Sequence, residues 1–154
     1  MTREQFYAAL VPAAVKAMHE LGIPASVTIA QGLLESDWGQ SSLFKQANNA
    51  FGIKAQEGDG WNGARICNPT WEVINGCEEQ TSDWFRKYGS LVESVEDHAK
   101  FLRRPRYAAA YAVRHDYKAF ANAIWAAGYA TDPHYPGKLI QLIQDYQLAK
   151  HDLE

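Results

Sequence analysis

Pro24 and Gly39 bracket an apolar helix whose last turn carries a carboxylate, and no other segment limits the possible folds of this chain as strongly. Pro24 and Ala25 open the helical pattern, and Val27, Ala30, Leu33 and Leu34 recur at the spacing of a core-facing stripe. Glu35 closes the run, and Gly39 ends or redirects the helix. A carboxylate at a helix C-terminus feels the negative end of the macrodipole, and apolar neighbours strip away its water. Both effects favour the protonated form. A carboxyl that keeps its proton near neutral pH is what a general acid needs, whereas most helix-end Glu residues are solvated and do no chemistry. Taken alone, the segment favours the solvated Glu; the rest of the chain has to overturn that reading.

At 154 residues the chain fits one domain, spanning 1–154, with one core. An apolar content of 47% with 21% charged residues belongs to an ordinary globular protein. A net charge of −3 provides no basic field for nucleic acid or an anionic membrane. No apolar run is long enough to span a bilayer, so no membrane insertion is expected, and the expected state is a monomer. Thr2 and Gln5 form a capping box that starts a helix at once, with no export segment ahead of it. The expectation is a chain released by lysis, by a holin or by injection, or else a domain of a longer exported protein.

Cys67 and Cys77 lack His or Cys partners at zinc-binding spacing, so neither a metal nor another cofactor is expected. A Cys67–Cys77 disulfide stays open. A two-residue turn at Asn75-Gly76 would set Cys77 opposite Ile74 and leave Cys67 far up the other strand, unless the Asn68-Pro69 region bulges.

The periodicity predicts an amphipathic helix over 2–21, with Phe6, Leu10, Ala14, Ala17, Met18 and Leu21 inward, followed by the helix that carries Glu35. A short helix is expected near Ser41–Gln46, a turn and buried segment over 48–54, and a Gly-rich loop over 56–63. Strand-like composition over 64–88 predicts a β-hairpin or small three-stranded sheet, a lobe spanning about 61–88. Helices return at Ser94–Leu102, with Ser94 as the cap, at 117–126 behind Asp116, and at 135–148, with Leu139, Ile140, Leu142, Ile143 and Tyr146 inward. The fold class is α+β, mainly α: helices, a small β-lobe, then helices.

Four segments, taken together, change the odds on Glu35. They are Ala30-Gln31-Gly32-Leu33-Leu34-Glu35-Ser36-Asp37-Trp38-Gly39, then Asn49-Ala50-Phe51-Gly52-Ile53-Lys54, then Phe85-Arg86-Lys87-Tyr88-Gly89-Ser90 with Ser94-Val95-Glu96-Asp97-His98, and last Ala127-Gly128-Tyr129-Ala130-Thr131-Asp132-Pro133. In this order and spacing the chain resembles glycoside hydrolase family 73, the lysozyme-superfamily peptidoglycan glucosaminidases of flagellar rod-cap proteins, autolysins and phage lysins. It departs from the family's pattern at Ala50, where Leu is frequent, and at Asp37, where Gly is frequent.

The resemblance implies a lysozyme-like helical domain whose β-hairpin lobe flanks an active-site cleft, acting on peptidoglycan glycan strands in the periplasm or cell wall. It implies an endo-β-N-acetylglucosaminidase with Glu35 as general acid. Muramidase or lytic transglycosylase activity on the same scaffold, or a non-catalytic glycan-binding module, remain the alternatives. Glycoside hydrolysis usually uses a second carboxylate. Thr70-Trp71-Glu72 resembles the family's Thr-x-Glu, which makes Glu72 the candidate base or stabiliser ahead of Asp83, Glu78, Glu79 and Asp59. Strand alternation gives Glu72 near-even odds of facing away from the cleft. Tyr129 matches the family's cleft Tyr, beside the acid, where it would hold an acetamido group or orient water; otherwise it anchors a turn. Candidate substrate-binding residues are Trp38, Phe51, Trp61 and Tyr135. Trp61 and Tyr135 would serve as sugar platforms, while Trp38 either packs under Glu35 or fills the core. His98 reads as a core histidine, and Asp132 as a brace for its turn.

Overall fold

The computed structural model describes the backbone of residues 1–74 and 77–154, with side chains for 1–69 and 80–154. Helix α1 (Arg3–Leu21) starts at the Thr2–Gln5 capping box and stops at Gly22, which is left-handed. It buries Phe6, Leu10, Ala13, Ala14 and Ala17, while Met18 and Leu21 are only partly covered. Next comes α2 (Ala25–Ser36), followed by α3 (Ser42–Ala47), which Ser41 caps. Strands β1 (Arg65–Ile74) and β2 (Cys77–Arg86) form one antiparallel hairpin. The helices α4 (Leu91–Leu102), α5 (Ala108–Ala112), α6 (Tyr117–Ala126) and α7 (Tyr135–Asp145) complete the body, with a last 3-10 turn over Leu148–Leu153.

Helix α2 is the axis of the fold. Every residue from Ala25 to Leu33 is buried, because α1, α6, α7 and the last turn pack around it rather than against one face. This explains why Leu34, inward in the helical pattern, is only partly covered. A helix apolar on most sides is a buried helix. It has no side-chain cap of its own at Pro24. Asp152 supplies one from the far end of the chain, its carboxylate accepting from Ser26 N–H at 2.8 Å and Ser26 Oγ–H at 2.6 Å. An acidic group there also meets the positive end of the helix dipole.

Beyond Ser36 the chain takes three successive left-handed residues, Asp37, Trp38 and Gly39, with φ of 50°, 57° and 79°. The Ser36 hydroxyl holds the turn, donating to Gly32 C=O and accepting from Gly39 N–H. A Cβ on Gly39 would lie 2.6 Å from the Phe6 ring, so only glycine lets this turn close against α1.

The hairpin has two strands rather than three; the third contribution is a single bridge from Lys54 to Phe85. Its register sets Cys67 opposite Trp84 and Cys77 opposite Ile74. At about 3.3 Å per residue the two cysteines lie roughly 20 Å apart along the ladder, well beyond disulfide reach. Cys67 is a free, exposed thiol. The Asn75-Gly76 turn lies outside the described residues.

Three expectations about helix ends are corrected. Ser90, not Ser94, caps α4: its Oγ accepts from Glu93 N–H, while Ser94 lies one turn inside and accepts from Ala50 N–H. Helix α7 stops at Asp145 rather than 148, since Gln147 adopts a left-handed conformation that turns the chain toward α2. That break leaves Tyr146 46% exposed instead of inward.

Gly39→Ala should lower unfolding free energy by about 2–4 kcal/mol, combining left-handed strain with the collision against Phe6. Urea denaturation followed by circular dichroism checks this, with Gly52→Ala, whose Cβ would meet nothing, as the strain-only control.

Candidate active site

Helix α2 carries Glu35 to the floor of a cleft of about 610 Å³. The segment after α3 contributes Phe51, Ile53, Lys54, Gln56 and Asp59; β2 contributes Arg86; α4 and the turn behind it add Phe101, Arg104 and Arg106. Residues 128–132 and Tyr135 close the remaining side. Glu35 is exposed to the cleft, while the protein around its carboxyl removes part of its water. Loss of water pushes its pKa above the ordinary carboxylate value, and a hydrogen bond from the Tyr135 hydroxyl opposes that rise. The result is a carboxyl that holds its proton to higher pH than a surface Glu.

Behind Glu35 runs a buried polar spine. Gln31, one turn earlier on the same face of α2, donates from Nε2 to Tyr135 Oη at 2.9 Å. Its Oε1 accepts from His98 Nε2 at 2.8 Å. His98 is fully buried and stacked on Phe51 at 3.9 Å; burial pushes its pKa down to about 3, so the ring is neutral. It is a core histidine, as its place on the α4 stripe implied.

The hairpin root is fixed by Arg86, which is 4% exposed. Its guanidinium donates to Asp97 at 2.9 Å, to Asp59 at 3.2 Å and to Lys54 C=O at 3.2 Å, and lies 4.9 Å from the Trp61 ring centre. Tyr88 donates to the same Asp97 oxygen. Asn49 ties the neighbouring segment: its amide donates to Ile53 and Arg86 carbonyls, and its oxygen accepts from the N–H groups of Phe51, Gly52 and Ile53.

These contacts decide several candidate roles. Desolvation would raise Asp59, but N–H donors from Trp61 and Gln56 and the Arg86 guanidinium bring it below the usual range. Asp83 is likewise held low, by the Lys54 ammonium at 2.8 Å. Asp132 accepts from His134 N–H and pairs with Lys138 at 2.7 Å, bracing its turn. Glu72 is opposite Glu79 in the strand register, but its side chain lies outside the described residues, as do those of Glu78 and Glu79.

Tyr129 lines the cleft, stacks on Tyr135 with ring centres 5.9 Å apart, and has a buried hydroxyl without a partner among the described residues. Phe51 lines the cleft but is 3% exposed. Tyr135 is 4% exposed and presents its hydroxyl to Gln31 and Glu35, so it offers no open ring face for a sugar platform. Trp61 lies outside the cleft lining, pinned by its indole N–H to Ala64 C=O and covered by Arg86. Trp38 is also absent from the lining, packed instead between Tyr7 and Tyr146 in a separate surface pocket with Arg3 and Glu4. The sequence reading assigned no role to Gln31, Arg86, Asp97 or Asn49. For Gln31 the signal was present: an amide one turn before Glu35 in a mainly apolar helix.

Residues 11–148 match the family model described as Glucosaminidase, mannosyl-glycoprotein endo-beta-N-acetylglucosaminidase. The chain belongs to the glucosaminidase family. It is 38% identical to the exo-glucosaminidase LytG of Bacillus subtilis, over 82% of this chain and 45% of that protein. It is also 38% identical to the peptidoglycan hydrolase FlgJ of Escherichia coli K12, over 90% of this chain and 45% of that protein. This glucosaminidase-family chain therefore spans about half the length of the curated relatives it matches. Among solved structures, the catalytic domain of the autolysin Auto from Listeria monocytogenes superposes with a TM-score of 0.82 at 34% identity, covering 97% of this chain and 86% of that one. The likeness extends to a peptidoglycan hydrolase mutant from Sphingomonas sp. A1, with a TM-score of 0.80, 36% identity and 97% of both chains covered. The lysozyme-like, mainly helical fold with one small sheet is shared with these domains.

Arg86→Met should cost about 3–5 kcal/mol of stability, because it leaves Asp59 and Asp97 in the hairpin root without their cation. Arg86→Lys should recover only part of the loss, since one ammonium cannot copy the fork that spans both carboxylates. Guanidinium denaturation of the two variants measures both effects.

Proposed function

We propose that this domain hydrolyses the β-1,4 bond on the reducing side of N-acetylglucosamine within peptidoglycan glycan strands, as an endo-acting glucosaminidase. The observation that carries this reading is Glu35: a carboxyl at the floor of an open cleft, whose pKa is raised by loss of water. Peptidoglycan as substrate follows the activity of relatives such as the peptidoglycan hydrolase FlgJ of Escherichia coli. Its target places the action in the periplasm or cell wall. Among the described residues no helix is long and apolar enough to cross a membrane.

In this mechanism Glu35 gives its proton to the glycosidic oxygen as the bond breaks. The carboxylate it leaves behind is met by the Tyr135 hydroxyl. Tyr129, which lines the cleft beside Glu35, takes the part of the family's cleft Tyr that it resembles, serving the 2-acetamido group or a water at the reacting carbon. A second carboxylate activates that water or steadies the oxocarbenium-like transition state. We assign this role to Glu72 on its resemblance to the family's Thr-x-Glu; Asp59, Asp83 and Asp132 are each paired with a cation.

Glu35→Gln should reduce lysis of purified sacculi by about 10²–10⁴-fold with an unchanged circular dichroism spectrum. Unchanged lysis rejects the acid assignment. Activity of the wild type should fall as pH rises through the elevated Glu35 pKa, because only the protonated form acts as an acid. Glu72→Gln tests the second carboxylate, with released muropeptides read by mass spectrometry. New N-acetylglucosamine reducing ends and a comparable loss in the variant support the proposal. Muramic ends identify a muramidase and anhydro-muramic ends a transglycosylase; release of single terminal sugars identifies an exo enzyme.

A further inference from the structure

The spine behind Glu35 has a direction, and one buried nitrogen sets it. A glutamine Oε1 can only accept, so the contact with His98 requires the imidazole proton on Nε2. The other ring nitrogen, Nδ1, is buried and has no partner among the described residues. A proton on Nδ1 would be an N–H buried without an acceptor, which is costlier than an idle lone pair. His98 therefore acts as a fixed donor. Its bond holds the Gln31 amide with Nε2 facing Tyr135, and that amide occupies a lone pair of Oη. The single hydroxyl proton of Tyr135 is left to face Glu35. With the amide turned over, Gln31 Oε1 would take the Tyr135 proton for itself and Glu35 would lose its donor.

We propose that His98 and Gln31 are positioning residues that, acting through Tyr135, keep a hydroxyl proton permanently directed at the Glu35 carboxyl. The proposal deepens the reading of Glu35 as the acid and rests on it for its catalytic meaning, though its geometry is independent of turnover. The chain acts where it matters most, on the carboxylate left after proton transfer. Against the desolvation that would make Glu35 too weak an acid, the donor restores part of its acidity. Other charged groups share the cleft: Lys54, Asp59, Arg86, Arg104, Arg106 and Asp132. Around the spine itself stand the hydroxyls of Tyr107 and Tyr129 and the neutral His98. Tyr135 and Glu35 line the same cleft, and the Tyr135 hydroxyl is the hydrogen-bonding group that bears on the Glu35 proton among the described residues.

The experiment is a carbon-13 NMR titration of the Glu35 carboxyl in the full 154-residue chain, assigned by its absence from Glu35→Gln. Tyr135→Phe should move the Glu35 midpoint upward by about 0.5–1 pH unit, a three- to tenfold change in its ionisation constant. His98→Phe preserves the stack on Phe51 but removes the donor, so Gln31 can turn over; it should shift the midpoint in the same direction. Combined with Tyr135→Phe it should add nothing further. His98→Gln, which keeps an N–H, should return toward the wild-type value. The alkaline limb of the sacculus-lysis profile should follow the same order.

A His98→Phe midpoint equal to wild type overturns the proposal, as does additivity in the double variant. Should His98→Phe fail to fold, nitrogen-15 shifts of the wild-type imidazole decide. A protonated Nε2 with a bare Nδ1 supports the proposal, and the opposite tautomer ends it. The carbon-13 and nitrogen-15 readings do not depend on catalysis, so lysis retained by Glu35→Gln would refute the acid assignment while leaving the spine's direction intact.

Discussion

The cleft depends on one buried cation. Arg86 stands at the end of β2, where the hairpin meets the helical body, and its guanidinium joins Asp59 from the loop wall to Asp97 from α4. Its backbone is bonded as well, N–H to Ile53 C=O and C=O to the Asn49 amide. A guanidinium out of water is tolerated only with its donors satisfied, and here carboxylates, a carbonyl and an aromatic face share that task. Because the partners come from separate stretches of chain, satisfying the charge and assembling the wall are one event. The Gly-rich loop over 56–63 gains its order from this site: Asp59 accepts from Gln56 and Trp61 N–H groups while pairing with Arg86.

A second economy operates within α2. A helix buried on most sides should carry only apolar residues, yet Ser26, Thr28 and Gln31 are all buried in it. Each is satisfied by a different neighbour: Asp152 from the last turn, the Pro24 carbonyl within the helix, and Tyr135 with His98 from α7 and α4. Bonds of this kind fix rotation and depth, which apolar packing leaves loosely defined. The Glu35 carboxyl inherits that placement from residues that never reach the cleft.

The helical body was legible from the chain because capping and periodicity act locally. Thr2 with Gln5 and Asp116 each cap the helix expected of them. Misreadings arose where a distant partner decides. Ser94 has the chemistry of a cap, but its hydroxyl is claimed by Ala50 N–H, and Ser90 takes the capping place. Tyr146 fits the α7 stripe, yet the left-handed Gln147 breaks that helix to bring Asp152 onto α2. The short helical stretch over residues 105–112 was not foreseen; it lies between Pro105 and Asp116 with little periodicity to reveal it. At the site, Glu35 stood out once the four-segment resemblance was added to its helix-end position, and Asp132 through its turn. The aromatic candidates were the least legible, since a ring's composition does not say which face stays open. Trp61 is covered by a guanidinium and Trp38 is wedged between two tyrosines. Glu72 remains a reading from motif and register.

The cap that Asp152 places on α2 has a consequence in time as well as in space. A chain made from its amino end exposes Ser26 long before Asp152 exists, since the two are 126 positions apart. Until that final turn is synthesised, the helix bearing Glu35 has open N–H groups at its start and an unfilled flank where Leu148 and His151 will sit. Completion of the central helix is thereby tied to completion of the domain. A nascent or carboxy-terminally clipped polypeptide would carry all four motif segments and still lack a finished scaffold for its acid.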